Sequence, residues 1–235
     1  MRIPILFAGI FATFTFAWFG QTLIPNAQLG NLQPQTDEDG GDIYPVNSSY
    51  VIAGGGGRYA NDGSSGVAAR GRAVYVSEGC YYCHTQLVRD ENGGADIDRG
   101  WGGPGPGKGR RTVARDYIYD SPSVLGIARN GPDLANMGVR TIDGKAVTAE
   151  WLYEHLYNPS AAAPHTIMPS YRYLFDTRKI VSQRSMDALD LKGDDAPQPG
   201  YEVVPTADAK ALVSYLLSLD RTHALKEVKQ EAPAK

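Results

Sequence analysis

Both cysteines of the 235-residue chain lie in the segment CYYCH at residues 80–84, and a histidine follows the second cysteine directly. Thiols at positions i and i+3 face the same side of a helix end, where Cys80 and Cys83 can add to the two vinyl groups of one haem as thioethers. His84 then presents its imidazole to the iron. A disulfide or redox pair leaves the histidine unexplained, and zinc needs about four ligands, which the other histidines do not supply. The segment therefore predicts one covalently bound haem c.

The second axial ligand of the iron must come from a distant part of the chain. The candidates are Met137, Met168, Met186, His155 and His165. Met168 is favoured because Pro169 follows it and because it lies in an irregular stretch between two predicted helices, where a loop can fix a thioether. His165 remains its competitor. Two axial ligands leave no open position at the iron, which favours electron transfer over catalysis at the haem.

Two further segments have the composition of ligand-contacting loops. A carbonyl group within RNGPDL, residues 129–134, can accept the Nδ1 proton of His84 and so direct Nε2 to the iron. The segment at residues 101–111 contains GxxxxGK, but glycine replaces the Ser or Thr that a phosphate-binding loop requires, and prolines remove amide donors. We interpret it as a surface loop. The candidates to pair with haem propionates are Arg110, Arg111, Arg115 and Arg129.

The first part of the chain predicts a membrane anchor. Residues 3–24 carry no charged side chain, and a helix of about 22 residues rises roughly 33 Å, enough to cross a bilayer. Arg2 precedes this run and acidic residues follow it, which places the bulk of the protein outside the cytoplasm. The run is longer than the apolar core of a cleaved signal peptide, the rival interpretation.

We expect a mainly α fold with long Gly- and Pro-rich loops. The predicted helices begin at Val67, span Ala149–Tyr157 after the N-cap Thr148, and run from the N-cap Thr206 to about Asp220. No alternating pattern favours a sheet. The predicted order is an anchor at residues 1–25, a flexible linker at 26–66, a haem domain at 67–222 with long insertions at 84–131 and 175–205, and a frayed polar tail at 223–235. A net charge of −3 without a basic stripe argues against a nucleic-acid partner.

Taken together, these motifs resemble a class I cytochrome c. The closer resemblance is to the membrane-anchored monohaem c subunit of C-family (cbb-type) haem-copper oxidases. The matching stretches are residues 71–89, which include VSEGCYYCHTQLVR, then YDSP at 119–122, RNGPDL at 129–134, WLYEHLYNP at 151–159 and MPSY at 168–171. The linker, the 101–111 loop and the segment between residues 175 and 206 depart from that family.

The resemblance implies His84 and Met168 as axial ligands, Cys80 and Cys83 as thioether donors, and Pro132 as the carbonyl acceptor. The predicted cofactor-binding residues are Cys80, Cys83, His84, Met168, Pro132, Leu134 and Arg129.

The resemblance also implies a one-electron carrier that is not an enzyme on its own. Its partners would be the catalytic haem-copper subunit and, upstream, a further cytochrome c subunit or a soluble cytochrome c. Such a protein would cross the bacterial inner membrane once and hold its haem in the periplasm. The alternatives are a nitric oxide reductase subunit, a stand-alone membrane cytochrome c, and a haem enzyme or gas sensor with an open iron position.

Overall fold

The computed structural model describes residues 3–30, 32, 66–118, 120 and 122–228. The predicted linker lies almost entirely outside the described residues, as do Tyr119 and Ser121 of the YDSP stretch and the last part of the tail, 229–235. The chain divides into two units, Met1–Asp42 and Ile43–Lys235, which are described separately.

The described part of the first unit consists mainly of one long apolar helix. Helix α1, Ile3–Trp18, continues through a π-helical turn at Phe19–Leu23 into α2, Ile24–Leu29. Within this 27-residue helix, an 18-residue window has a mean hydropathy of 1.8, and none of that window is buried. The predicted N-terminal membrane helix is thus confirmed in length and composition. It continues past Pro25, the predicted end, because a proline is tolerated in the first turn that follows the π-helical turn.

In the second unit, α3 and α6 form the centre of the core. Helix α3 spans Val67–Ser77 and α6 spans Ala207–Ser218. Gly71 allows the two helices to touch, since a Cβ at this position would lie 1.8 Å from the carbonyl oxygen of Ala211. The rings of Tyr75 and Tyr215 pack at 5.4 Å beside this crossing.

Helix α4, Ala149–Tyr157, and helix α6 begin at the N-caps that the sequence predicts, whereas a short helix after α4 was not predicted. Thr148 Oγ1 accepts a hydrogen bond from Trp151 N at 3.2 Å at the start of α4, Ala149–Tyr157. Asn158 ends α4 and caps the short α5, Pro159–Ala162. Thr206 caps α6 through Ala209 N at 3.3 Å.

The described residues of the second unit also form two small antiparallel sheets, so the expectation of no sheet was wrong. Strand β1, Thr141–Ile142, pairs with β2, Lys145–Ala146, and β3, Phe175–Lys179, pairs with β4, Tyr201–Pro205. Neither β3 nor β4 alternates, because only Phe175 is buried in β3 whereas four consecutive residues are buried in β4. The predicted insertion at 175–205 therefore begins and ends in one hairpin.

The beginning of the predicted frayed tail is packed onto the domain. Leu225 is buried, and the carbonyl oxygen of His223 accepts a hydrogen bond from Arg110 Nε at 2.9 Å. Glu227 forms an ion pair with Arg115. The prediction of a frayed tail was therefore wrong for residues 223–228, since a buried arginine and an apolar side chain hold them in place.

Candidate functional site

A large cavity of about 600 Å³ opens beside the CYYCH segment, a volume within the range of cofactor pockets. Its wall is formed by α4, by the end of α6, by the β1–β2 hairpin and by the segments that carry His84, Trp101, Pro132 and Met168. The lining residues are His84, Arg99, Trp101, Pro106, Pro132, Leu134, Met137, Arg140, Thr141, Ile142, Asp143, Gly144, Trp151, Leu152, His155, Leu156, Met168 and Leu216. Most of these side chains are apolar, so the cavity suits a largely hydrophobic ligand with a few polar groups.

The two cysteines lie on a tight turn that follows α3. Gly79 adopts a left-handed conformation with φ of 71°, which ends the helix and starts a 3₁₀ turn at Cys80–Tyr82. The amide of His84 donates to the carbonyl oxygen of Cys80 at 2.9 Å, which brings Cys80, Cys83 and His84 onto one turn. The cysteines are not joined in a disulfide. Burial raises the pKa of Cys80 to about 11, so its thiol is neutral near pH 7.

The imidazole of His84 is oriented by a backbone carbonyl. Its Nδ1 lies 2.8 Å from the carbonyl oxygen of Pro132. Because a carbonyl only accepts, Nδ1 carries the proton and Nε2 keeps a free lone pair. Burial lowers the pKa of His84, and the bond to Pro132 opposes that effect only in part. The ring is therefore a neutral donor that can ligate a metal.

Asp133 fixes the loop that carries Pro132. Its carboxylate accepts from Thr85 Oγ1 at 2.6 Å, from Leu87 N at 2.7 Å and from Ala135 N at 2.9 Å. Burial raises the pKa of Asp133, and these three hydrogen bonds oppose the rise. Leu134, which follows Asp133 and is also buried, lines the cavity.

Of the candidates for the second axial ligand, Met168, Met137 and His155 line the same cavity as His84. Met168 lies in the loop after α5, where its amide donates to Thr166 Oγ1 at 3.1 Å. His155 stacks on Trp151 with ring centroids 4.7 Å apart, and its buried Nδ1 has no hydrogen-bond partner among the described residues. Met186 is fully exposed. His165, the competitor named from the sequence, is exposed and does not line the cavity.

The arginines chosen from the sequence to meet haem propionates do not line the cavity. Arg110 is buried against Asp116, with two hydrogen bonds of 2.7 and 2.8 Å. Arg115 pairs with Glu227. Arg129 pairs with Asp96 at 2.6 Å and lies behind Trp101, 5.9 Å from its ring. Arg111 does not line the cavity either, and protein carboxylates pair with Arg110, Arg115 and Arg129.

Trp101 and Arg140 are among the residues of the cavity wall that were not predicted from the sequence. Trp101 lies in the segment at 101–111 that was interpreted as a surface loop, yet Trp101 and Pro106 line the cavity and Arg110 is buried. That interpretation was wrong, because the loop is held from behind by Asn136, whose Nδ2 donates to the carbonyl oxygen of Trp101 at 3.0 Å. The one sequence signal that this segment contributes to the cavity wall was a tryptophan beside a glycine-rich run. No motif marks Arg140.

Comparison with known families gives one match, to the family described as "Cytochrome C oxidase, mono-heme subunit/FixO". The match covers residues 63–193, more than half of the chain, and includes the CYYCH turn, the Pro132 loop, α4 and Met168. A search of curated proteins gives no match.

Proposed function

The chain belongs to the FixO family of mono-haem subunits of cytochrome c oxidase, and we propose that it carries single electrons through one covalent haem c with His84 and Met168 as axial ligands. Family membership makes the protein a haem-containing, electron-transfer subunit of an oxidase complex. The covalent attachment, the ligand pair and the direction of electron flow are the proposal.

One observation carries the proposal: His84, with its free lone pair at Nε2, lines the same cavity as Met168. The 2.8 Å contact between His84 Nδ1 and Pro132 O fixes the tautomer that a ligating histidine requires. Cys80 and Cys83 lie on the turn immediately before His84, at the spacing that thioether attachment to one haem requires. A haem held there would supply a one-electron iron couple, whose reduction potential a His/Met pair raises relative to two histidines.

Met168 is preferred to the other residues of the wall for physical reasons. Met137 is buried within the core, in a tight turn where its amide donates to the carbonyl oxygen of Leu134 at 3.1 Å. His155 is held flat against Trp151 by stacking. Met168 is on a partly exposed loop that a thioether ligand would order.

The helices α3, α4 and α6 are the elements that we assign to a class I cytochrome c arrangement. In this assignment the haem domain spans residues 67–222, with residues 84–131 and 175–205 as insertions. The segment at 101–111 contributes Trp101 and Pro106 to one side of the cavity.

We further propose that the helix Ile3–Leu29 anchors the chain in the bacterial inner membrane, with the haem domain in the periplasm. The acceptor would be the catalytic haem-copper subunit, and the donor a further cytochrome c subunit or a soluble cytochrome c. The positive charge at Arg2, before the apolar helix, supports this orientation.

The complex purified from native membranes tests the proposal. Mass spectrometry of the denatured chain should find one haem added to the peptide that contains Cys80 and Cys83. The reduced haem c should be low-spin and should not bind carbon monoxide. An unmodified chain, or a haem c that binds carbon monoxide, would contradict the proposal. A nitric oxide reductase in place of a copper-containing oxygen reductase in the same preparation would contradict the proposed acceptor.

A further inference from the structure

Trp151 separates the large cavity from a cleft on the outer side of α4. It lines the cavity that contains the candidate axial ligands, and it also lines a smaller cleft of about 150 Å³, next to Ala161 and Ala162. Both alanines are exposed, so this cleft opens to the surface. His155 belongs to both walls as well, and its ring stacks on that of Trp151 with centroids 4.7 Å apart. A cofactor in the large cavity would thus lie one layer of aromatic side chains away from the protein surface.

The outer side of α4 carries negative charge that is not balanced within the part of the chain that the structure describes. Glu154 lines the cleft beside Trp151, and together with Glu150 it lines a second cleft of about 270 Å³. Neither glutamate forms an ion pair with a described basic residue. The other carboxylates of the second cleft, Asp187 and Asp190, already pair with basic side chains. The charge left over on this side of α4 is therefore negative.

Trp101, the other tryptophan of the cavity wall, has surroundings of the opposite charge. It does not line the outer cleft, and the guanidinium groups of Arg99 and Arg129 lie 5.1 and 5.9 Å from the centre of its ring. Arg99 is exposed to solvent. Opposite charges steer two proteins together and like charges suppress their association. A positively charged protein would therefore be attracted to the surface at Trp151 and repelled from the surface at Trp101.

We infer that the outer side of α4, which carries Glu150, Trp151 and Glu154, is the docking surface for a soluble electron-donor protein with a lysine-rich face. The electron then reaches the haem through Trp151. The inference rests on the proposed function. One electron leaves the reduced metal centre of the donor and reduces the ferric haem c, while Trp151 keeps its own electrons and no proton moves.

The character of this surface suits a short-lived redox complex. Such complexes bury little area and are brought together by charge, whereas permanent subunit interfaces are larger and more apolar. The two clefts are small, and the helix between them presents carboxylates. A lysine-rich face supplies the opposite charge that Glu150 and Glu154 lack within the described chain.

Neutralising the two glutamates should slow the encounter with the donor. The probe is a reduced, basic soluble cytochrome c, and stopped-flow spectroscopy follows the reduction of haem c in the purified, cyanide-inhibited oxidase complex. In the double variant Glu150→Gln and Glu154→Gln, we expect the second-order rate constant to fall about tenfold at low ionic strength. The difference should disappear at high salt. Asp90→Asn with Glu91→Gln is the matched control, because it removes the same charge from an exposed loop elsewhere. Equal effects of the two double variants, or no effect of the first, would overturn the inference.

Trp151→Leu should slow the transfer step and leave binding unchanged. At a saturating concentration of the probe, we expect the first-order rate of haem c reduction to fall several-fold, because an aliphatic side chain leaves a wider gap for the electron to cross. The dissociation constant of the oxidised probe should stay the same. Trp101→Leu is the matched control, since Trp101 lines the cavity but not the outer cleft. Redox titration of both variants corrects the rates for any change in driving force. Equal slowing in the two variants after that correction, or none in Trp151→Leu, would contradict the route.

Zero-length cross-linking of the unsubstituted complex with a carbodiimide provides a test that does not depend on the folding of a variant. We expect mass spectrometry to find Glu150 or Glu154 joined to a lysine of the probe. The same probe with acetylated lysines, which have lost their charge, should give slow reduction of haem c at low ionic strength. Cross-links to the probe only at other sites, or cross-links of these glutamates to another subunit of the oxidase, would refute the inference. The mass of the peptide that contains Cys80 and Cys83 in the same digest reports on the proposed function separately.

Discussion

Gly131 lies directly against the imidazole of His84: a Cβ at position 131 would be 2.2 Å from Cε1 of the ring. The new atom would also lie 2.7 Å from Nδ1 and 2.8 Å from Nε2, so a small rotation of the ring within its plane does not relieve the contact. The glycine is therefore required by the position of the histidine, and Pro132 follows it to present the carbonyl.

We expect Gly131→Ala to displace the ring and to weaken its hydrogen bond to Pro132. Overpacking of this kind costs about 1–3 kcal/mol of stability. Resonance Raman spectroscopy of the reduced protein should show a changed iron–histidine environment, and a urea titration should show lower stability. Gly93→Ala, in an exposed loop where the nearest atom would lie at 3.3 Å, is the control and should leave both unchanged. A normal histidine environment in Gly131→Ala would contradict the packing argument.

The sequence predicts those parts of the structure that depend on local patterns, such as helix caps and the spacing of ligands. The bounds of α4 follow from the Thr148 cap and the Asn158-Pro159 stop, and the spacing of CYYCH specifies its own chemistry. Distant contacts hold the segments of the wall residues Arg140 and Trp101: Gly138, in the turn before Arg140, donates to Leu219 O, and Trp101 O accepts from Asn136, and neither contact leaves a periodic signal. The β3–β4 hairpin joins strands separated by a long segment and lacks alternation, so no local rule identifies it.

Loss of one partner of the ion pair between Arg110 and Asp116 should be strongly destabilising, because both side chains are buried. Both side chains are fully buried, and Asp116 also accepts from Val113 N at 2.8 Å. Asp116→Asn would leave the guanidinium buried without a counter-ion, at a cost of about 3–5 kcal/mol. Urea denaturation of the purified holoprotein measures this loss.

The exposed pair between Arg70 and Asp208 is the matched control for Asp116. It has the same 2.7 Å separation, but the two side chains are 58% and 50% exposed. Asp208→Asn should therefore cost no more than about 1 kcal/mol. Equal losses in Asp116→Asn and Asp208→Asn would show that burial does not set the strength of these pairs.

Glu202 should make the contribution of the β3–β4 hairpin to stability depend on pH. Its carboxylate accepts from Ser185 Oγ at 2.6 Å, from Ser185 N at 2.7 Å and from Arg178 Nε at 2.9 Å. These contacts, those of Ser185 first, lower the pKa of Glu202 to about 2. The folded state thus holds this proton less tightly than the unfolded state, so the stabilisation is complete above the ordinary glutamate pKa of about 4.3 and is lost as the pH falls towards 2.

We expect the difference in stability between the parent protein and Glu202→Gln to be constant near neutral pH. The difference should shrink as the pH falls from about 4.3 to about 2. Urea titrations of both proteins at a series of pH values measure it. Asp176→Asn, which removes an exposed carboxylate from the same hairpin, is the control for the loss of a surface charge. A Glu202→Gln difference that stays constant down to the acid limit would rule out this account.

Substitution of Met168 tests whether its thioether is the second axial ligand of the iron. Met168→Ala should lower the reduction potential of haem c and let the reduced haem bind carbon monoxide, because the open position is then available. Met186→Ala, at a fully exposed methionine, should change neither property.

His155 lines the same cavity, and its Nδ1 has no hydrogen-bond partner among the described residues, so His155 is able to replace the thioether as a ligand. If Met168→Ala remains low-spin, the double variant with His155→Ala should become high-spin. An unchanged spectrum and potential in Met168→Ala would remove Met168 from the iron and with it the His/Met assignment.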